Sequence, residues 1–227
     1  MCGRFNQMLT TAELKKVGAE IGASAILPPP NYNVSPTQPV IAIAGANPRM
    51  ADSYGWGLIP FWAKDRKIQS RTFNARGETV SSKPAFRAAF RERRCIIPAD
   101  GFYEWKRTDD GKQPYYIYRS DNDLMGFAGL WETWRMPSKD GSESFRTCTV
   151  ITTDASAPMS DLHTRMPVIL ERDDWDIWLN PDGGDVTELQ ALLRPASDDV
   201  LVWHPVNPAV GNSRNNGRQL IEPHSSR

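Results

Sequence analysis

What most constrains the fold of this chain is a succession of short apolar stretches: PVIAIAGA, SYGWGLI, RCIIPA, GFYEWKR, PYYIYR, LMGFAGLWETW, FRTCTVITT and MPVIL. Their β-branched and aromatic residues suit a pleated, half-buried surface, and the Pro, Gly, Asn and Asp between them suit turns. Each therefore reads as a strand. KRTDDGKQPYYIY reads as a hairpin with DDG at its tip. Helical patterns are fewer. They cover 11–23 (stopped by glycine and then by PPP), 83–94, 171–180 and 185–194, while 153–161 reads as a loop with one turn of helix. Strands in excess, joined by short turns, predict an α+β fold: a single domain with a mainly antiparallel, barrel-like β core flanked by short helices. No Pro/Gly/Ser-rich linker divides the chain. Residues 1–220 are expected to form the domain and 221–227 a disordered tail.

At 227 residues the chain is long enough for a substantial core. Its three cysteines, Cys2, Cys95 and Cys148, are odd in number and contain no CxxC pair. They argue against a disulfide framework and a zinc site, and fit a reducing cytosol. The longest apolar run, VIAIAGA, is far too short to cross a bilayer, and the N-terminus lacks a signal-peptide pattern. A cytoplasmic protein without metal, cofactor or membrane attachment is expected. The charge is lopsided. Residues 1–120 hold 18 Lys and Arg against 10 Asp and Glu, and residues 121–227 hold 9 against 17. The two halves either neutralise each other across the fold or reserve the first for an anionic partner.

The chain opens MCGRF. Removal of Met1 gives Cys2 a free α-amine beside its thiol, a 1,2-aminothiol that condenses with aldehydes. An α-amine titrates near ~7.7–8.0 and is partly nucleophilic at cellular pH. It can form a Schiff base, to which the thiol, partly ionised if a cation such as Arg4 lies close, can then add. The alternative is a chance cysteine at a frayed terminus.

Four other stretches carry groups of interest. Asn74 stands at a strand end in NAR, behind a run with five cations and one acid over 64–76. In DGFYEWK, Phe102, Glu104 and Lys106 share one strand face and Tyr103 and Trp105 the other, so rings desolvate the Glu104 carboxylate and suit it to moving protons. His163 lies in a loop just before a strand, where an imidazole trades protons near neutrality. Phe61 and Trp62 precede the basic run, an arrangement that suits base stacking beside phosphate contact. Each has a structural alternative: a turn asparagine, a glutamate paired with Lys106, a satisfied histidine, a core-packed aromatic pair.

Taken in order, MCGRF, NYNVSP, GWGLIPFW, NARGET, ADGFYEWK, LHTRMP and WHPVNPAVGN…NNG resemble the SOS response-associated peptidase family, from Cys2 to about Gly217. That family is also called the abasic-site processing or 5-hydroxymethylcytosine-binding family. The resemblance implies the family's fold and a sensor of abasic sites in single-stranded DNA, part of the DNA damage response and found at the nucleoid when bound. It implies a covalent link, a thiazolidine built from the amine and thiol of Cys2. Asn74 would hold the amine, Glu104 would move protons during imine formation, and His163 would assist opening of the sugar ring and contact the adjacent phosphate. Arg4, Arg76 and Arg165 would grip the backbone and Asn33 would add a contact. Pro36, Trp62 and Trp105 would form a shelf for flanking bases. Phe61 departs from the aromatic expected in some relatives, and residues 135–145 match nothing in the pattern. A monomer is expected. The rival readings are an N-terminal-cysteine amidohydrolase, a peptidase that removes its own Met1, and a non-catalytic reader of single-stranded or modified DNA.

Overall fold

The computed structural model describes residues 2–23, 25–109, 111–136 and 143–224. Fourteen strands are formed among them: β1 (Phe5–Gln7), β2 (Ala19–Ile21), β3 (Asn31–Val34), β4 (Pro39–Ala44), β5 (Arg49–Trp56), β6 (Asn74–Arg76), β7 (Arg94–Ala99), β8 (Gly101–Thr108), β9 (Gly111–Arg119), β10 (Met125–Arg135), β11 (Ser144–Asp154), β12 (Arg165–Pro167), β13 (Ile169–Leu170) and β14 (Leu201–Pro205). The four helices are short: α1 (Thr11–Lys16), α2 (Arg87–Glu92), α3 (Trp175–Leu179) and α4 (Val186–Ala191).

Strands β11, β10, β7, β4 and β5 close into a barrel, because β11 and β5, the ends of that run, also pair with each other. The closing seam is parallel, Thr147 opposite Gly55 and Cys148 opposite Trp56, and the other four pairings are antiparallel. Closure leaves the barrel without an open edge. A second sheet runs β14-β9-β8-β1-β3. Gln7 sews the two together: its amide nitrogen donates to Ile41 O (3.0 Å) and Pro98 O (2.7 Å), and its oxygen accepts from Ile41 N (2.7 Å).

Alternation along the barrel strands divides the core in two. Val40, Ala42, Cys95, Ile97, Phe127 and Val150 pack with Phe5 and Phe102 of the second sheet. Ile41, Ile43, Ile96, Leu130 and Ile151 pack with Leu14, Phe90, Trp178 and Leu189 of the helices. This is the period-two pattern of strands buried on both faces.

The expected strands are all present, and all four helices are shorter than expected, α1 and α2 most of all. α1 begins with a capping box between Thr10 and Glu13 but ends at Val17. Gly18 then takes a left-handed φ of +71°, and Ala19–Ile21 turn away as β2 beside β5. α2 spans only Arg87–Glu92, since residues 79–86 form successive turns and Arg94 already pairs with Leu130 in the barrel. The hairpin forms with Thr108 opposite Gly111, while Asp110 at its tip lies outside the described residues. So do most of the 135–145 segment and residues 225–227. The chain stays docked beyond Leu220: Ile221 packs beside a small core of Tyr103, Tyr116 and Val206, and His224 N donates to Pro205 O at 2.8 Å. No helix among the described residues is long and apolar enough to cross a membrane.

Candidate active site

β1 is an inner strand, held between β3 and β8, so the residues ahead of it enter the protein rather than trail from it. Cys2 has no exposed surface. Under it runs a chain of edge-to-face rings, Phe73–Trp56–Phe5–Phe127–Phe102, with centroids 4.8 to 6.0 Å apart. These rings tie the neighbourhoods of three candidate residues to one floor: Phe73 precedes Asn74, Phe5 follows Cys2 and Phe102 precedes Glu104. Trp56 Nε1 fixes the first ring by donating to Phe73 O at 2.8 Å.

Asn74 opens β6, which lies parallel to β11 with Asn74 opposite Val150. From there its Nδ2 donates to the carbonyl of Cys2 at 2.7 Å, whereas its Oδ1 is buried with no hydrogen-bond partner among the described residues. An empty buried acceptor beside Cys2 suits an N–H donor. The Cys2 thiol faces Arg4 O at 3.9 Å, and burial together with the Glu104 carboxylate pushes its pKa far above the ordinary thiol value. The partly ionised thiol expected from a nearby cation is therefore replaced by a neutral one. Arg4 points its charge elsewhere.

Glu104 is 3% exposed, and burial raises its carboxyl to about 7. It is thus a buried carboxyl rather than a surface partner of Lys106, with a proton affinity that suits proton transfer near neutrality. Burial lowers the half-buried His163. Its Nδ1 lies 3.0 Å from the donating Arg165 N–H and 3.2 Å from Arg165 O, so both the neutral and the charged ring find a partner at that atom. The Glu104 carboxylate acts on the Cys2 thiol, so these two buried groups share one electrostatic neighbourhood.

Beside this centre a groove opens, lined by Trp62, Asn74, Arg76, Thr79, Lys83 and Phe86. Trp62 is half exposed and Phe61 more so, which excludes a core-packed pair; Arg76 is exposed as well. Gly57 anchors the loop that carries the two rings. It holds φ +129°, and a Cβ there would come within 2.3 Å of Gln69 O. Lys83 and Phe86 were missed in the sequence because KPAF reads as the start of a helix.

Three expected DNA contacts take other places. Asn33 is fully buried, and its Nδ2 donates to the carbonyls of Val210, Asn212 and Asn215 at 2.9 to 3.2 Å. It fastens the 210–215 loop and has no surface for a strand to touch. Arg4 donates to Asn33 Oδ1 (2.7 Å) and Val210 O (2.8 Å), with a longer contact to Gly211 O. Its guanidinium lies 6.0 Å from the Trp105 ring centroid. Arg165 is held by Glu78 and Asp154. Pro36 and Trp105 are half-buried. Among the described residues no cluster of His, Cys, Asp or Glu is gathered to hold a metal ion.

Residues 1–213 match the SOS response associated peptidase (SRAP) family. The abasic site processing protein YoqW of Bacillus subtilis is 43% identical, over 99% of this chain and 100% of that protein. The abasic site processing protein HMCES of Xenopus tropicalis is 37% identical, over 82% of this chain and 64% of that protein. A solved protein from Bacteroides thetaiotaomicron, 27% identical, superimposes with a TM-score of 0.86 over 99% of this chain and 100% of its own. With the same barrel and a match over nearly its whole length, the chain belongs to the SOS response-associated peptidase family.

Proposed function

We propose that this protein captures abasic sites in single-stranded DNA by a covalent bond to Cys2, made available by removal of Met1. An abasic deoxyribose opens to an aldehyde. The Cys2 amine adds to that carbonyl carbon, and loss of water gives an imine. The thiol sulfur then bonds to the imine carbon while its proton passes to the nitrogen, closing a five-membered thiazolidine. The balance needs no oxidant and no further reactant.

The observation that carries this reading is the grouping of buried Cys2 and Glu104 with half-buried Asn74, which bonds to Cys2 and lines an open basic groove. Glu104, titrating at about 7, holds a proton for the leaving water and, once ionised, accepts one from the thiol. That service matters because the thiol is neutral as found. Asn74 Oδ1 takes a hydrogen bond from the amine and steadies it against the carbonyl. His163 gives a proton to the sugar oxygen as the ring opens. Arg76, Lys83 and Trp62 receive the flanking strand by phosphate contact and stacking. The relatives named for abasic site processing support the same substrate.

Intact-mass spectrometry after incubation with an abasic single-stranded oligonucleotide tests it. The mature protein should gain the mass of the oligonucleotide less one water, and intact DNA should add nothing. Cys2→Ser should lose the stable adduct and keep at most an imine trapped by borohydride. Equal labelling by both DNAs, or an undiminished stable adduct in Cys2→Ser, overturns the reading.

A further inference from the structure

Arg165 is arranged unlike an arginine waiting for a phosphate. Its fork is filled: Nη1 donates to Glu78 Oε1 at 2.6 Å and to Asp154 Oδ1 at 2.7 Å, and Nη2 donates to Glu78 Oε2 at 3.0 Å and Thr152 O at 2.7 Å. The remaining Nε is buried. The side chain is only 15% exposed, against 48% for Glu78. A bidentate carboxylate on a half-sheltered guanidinium is the strong form of this pair, and a phosphate would have to displace it.

The backbone of the same residue is what touches His163. Arg165 N donates to Nδ1 and Arg165 O lies beside the same atom. Arg165 also opens β12, opposite Asp154 on β11, the strand that carries Asn74's partner Val150. One brace therefore links the loop of His163 to the strand that positions Asn74. Glu78 lies two residues beyond Arg76 and next to Thr79, both of the groove, so it joins that brace to the rim on which DNA is proposed to lie.

We infer that Glu78 is a positioning residue: by gripping Arg165 it fixes the backbone that aims the His163 imidazole at the bound sugar. The inference rests on the capture reading above and adds a residue that touches neither the DNA nor the reacting atoms.

Single-turnover adduct formation at saturating abasic oligonucleotide, measured beside equilibrium binding of an intact strand, tests it. Glu78→Gln keeps the shape but loses the charge that holds the fork. It should react about tenfold more slowly while binding the intact strand no more weakly than wild type, a loss in rate and not in affinity. Glu78→Asp should recover most of the rate. Arg165→Lys, which keeps the charge but cannot fork, should be slowed to the same degree, and the double variant should be no slower than either single one. A wild-type rate in Glu78→Gln overturns the inference, as does a double variant whose losses add. If Glu78→Gln binds intact DNA more tightly at an unchanged rate, Arg165 is a phosphate contact after all. Absence of any adduct with wild-type protein defeats the capture reading itself and this inference with it, whereas a normal wild-type adduct beside an unslowed Glu78→Gln defeats the inference alone.

Discussion

The reactive centre and the groove beside it share one residue, Asn74, and are built on opposite principles. In the centre, Cys2 and Glu104 are sealed on a floor of interlocked rings, and their proton affinities are set by exclusion of water. In the groove, Trp62 and Arg76 lie open to solvent. Burial tunes groups that must exchange protons; exposure leaves free the groups that must meet a large, charged partner. Side-chain chemistry alone does not decide which task a residue takes: Arg4 and Arg165 are cations like Arg76, yet both are committed to the protein's own acceptors.

The sharpest way to break this contrast is Glu104→Gln. It keeps the packing and removes the titrating group, and it should slow adduct formation by about 10²-fold with unchanged affinity for intact strand. The wild-type rate should also bend near pH 7, and that bend should vanish in the variant; a bend that persists assigns it to another group. Trp62→Ala probes the groove and should do the reverse. It weakens binding of single-stranded DNA by roughly 5- to 100-fold, as loss of one stacked base predicts, and leaves the rate at saturation near wild type. Titration binding curves check this, and an unaltered affinity removes Trp62 from the DNA path.

The smallest effect is on stability. A carboxyl raised to about 7 when folded stays protonated over a range where the unfolded chain, near its ordinary 4.5, has already lost its proton. The folded state then binds more protons, so Glu104's contribution falls as pH rises from about 4.5 to about 7. Thermal melts of wild type and Glu104→Gln should therefore agree at low pH and separate above neutrality, the variant being more stable by a few degrees. A constant difference across that range contradicts the buried, neutral Glu104.

Much of this was legible in the sequence. The strands announced themselves by β-branched and aromatic runs between turn residues, and the alternation in GFYEWKR placed Glu104 on the same face as Phe102. The barrel's closure was not legible, because the β5–β11 seam pairs residues 92 positions apart and has no local signature. Nor were the partners of the arginines: nothing in NARGET and LHTRMP says that Glu78 will meet Arg165. Asn33 was misread for the same reason, since a buried amide that closes a distant loop resembles an exposed one until the loop is in place.

The stitch that Gln7 makes between β1 and the barrel bears on what an attached protein withstands. Were DNA joined at Cys2 as proposed, a motor tugging on it would load β1, an inner strand, along its own axis. Its ladder bonds and the three at Gln7 would then be strained together, in shear, rather than unzipped singly from a loose end. The proposed attachment point is thus tied in by bonds that break together rather than one at a time.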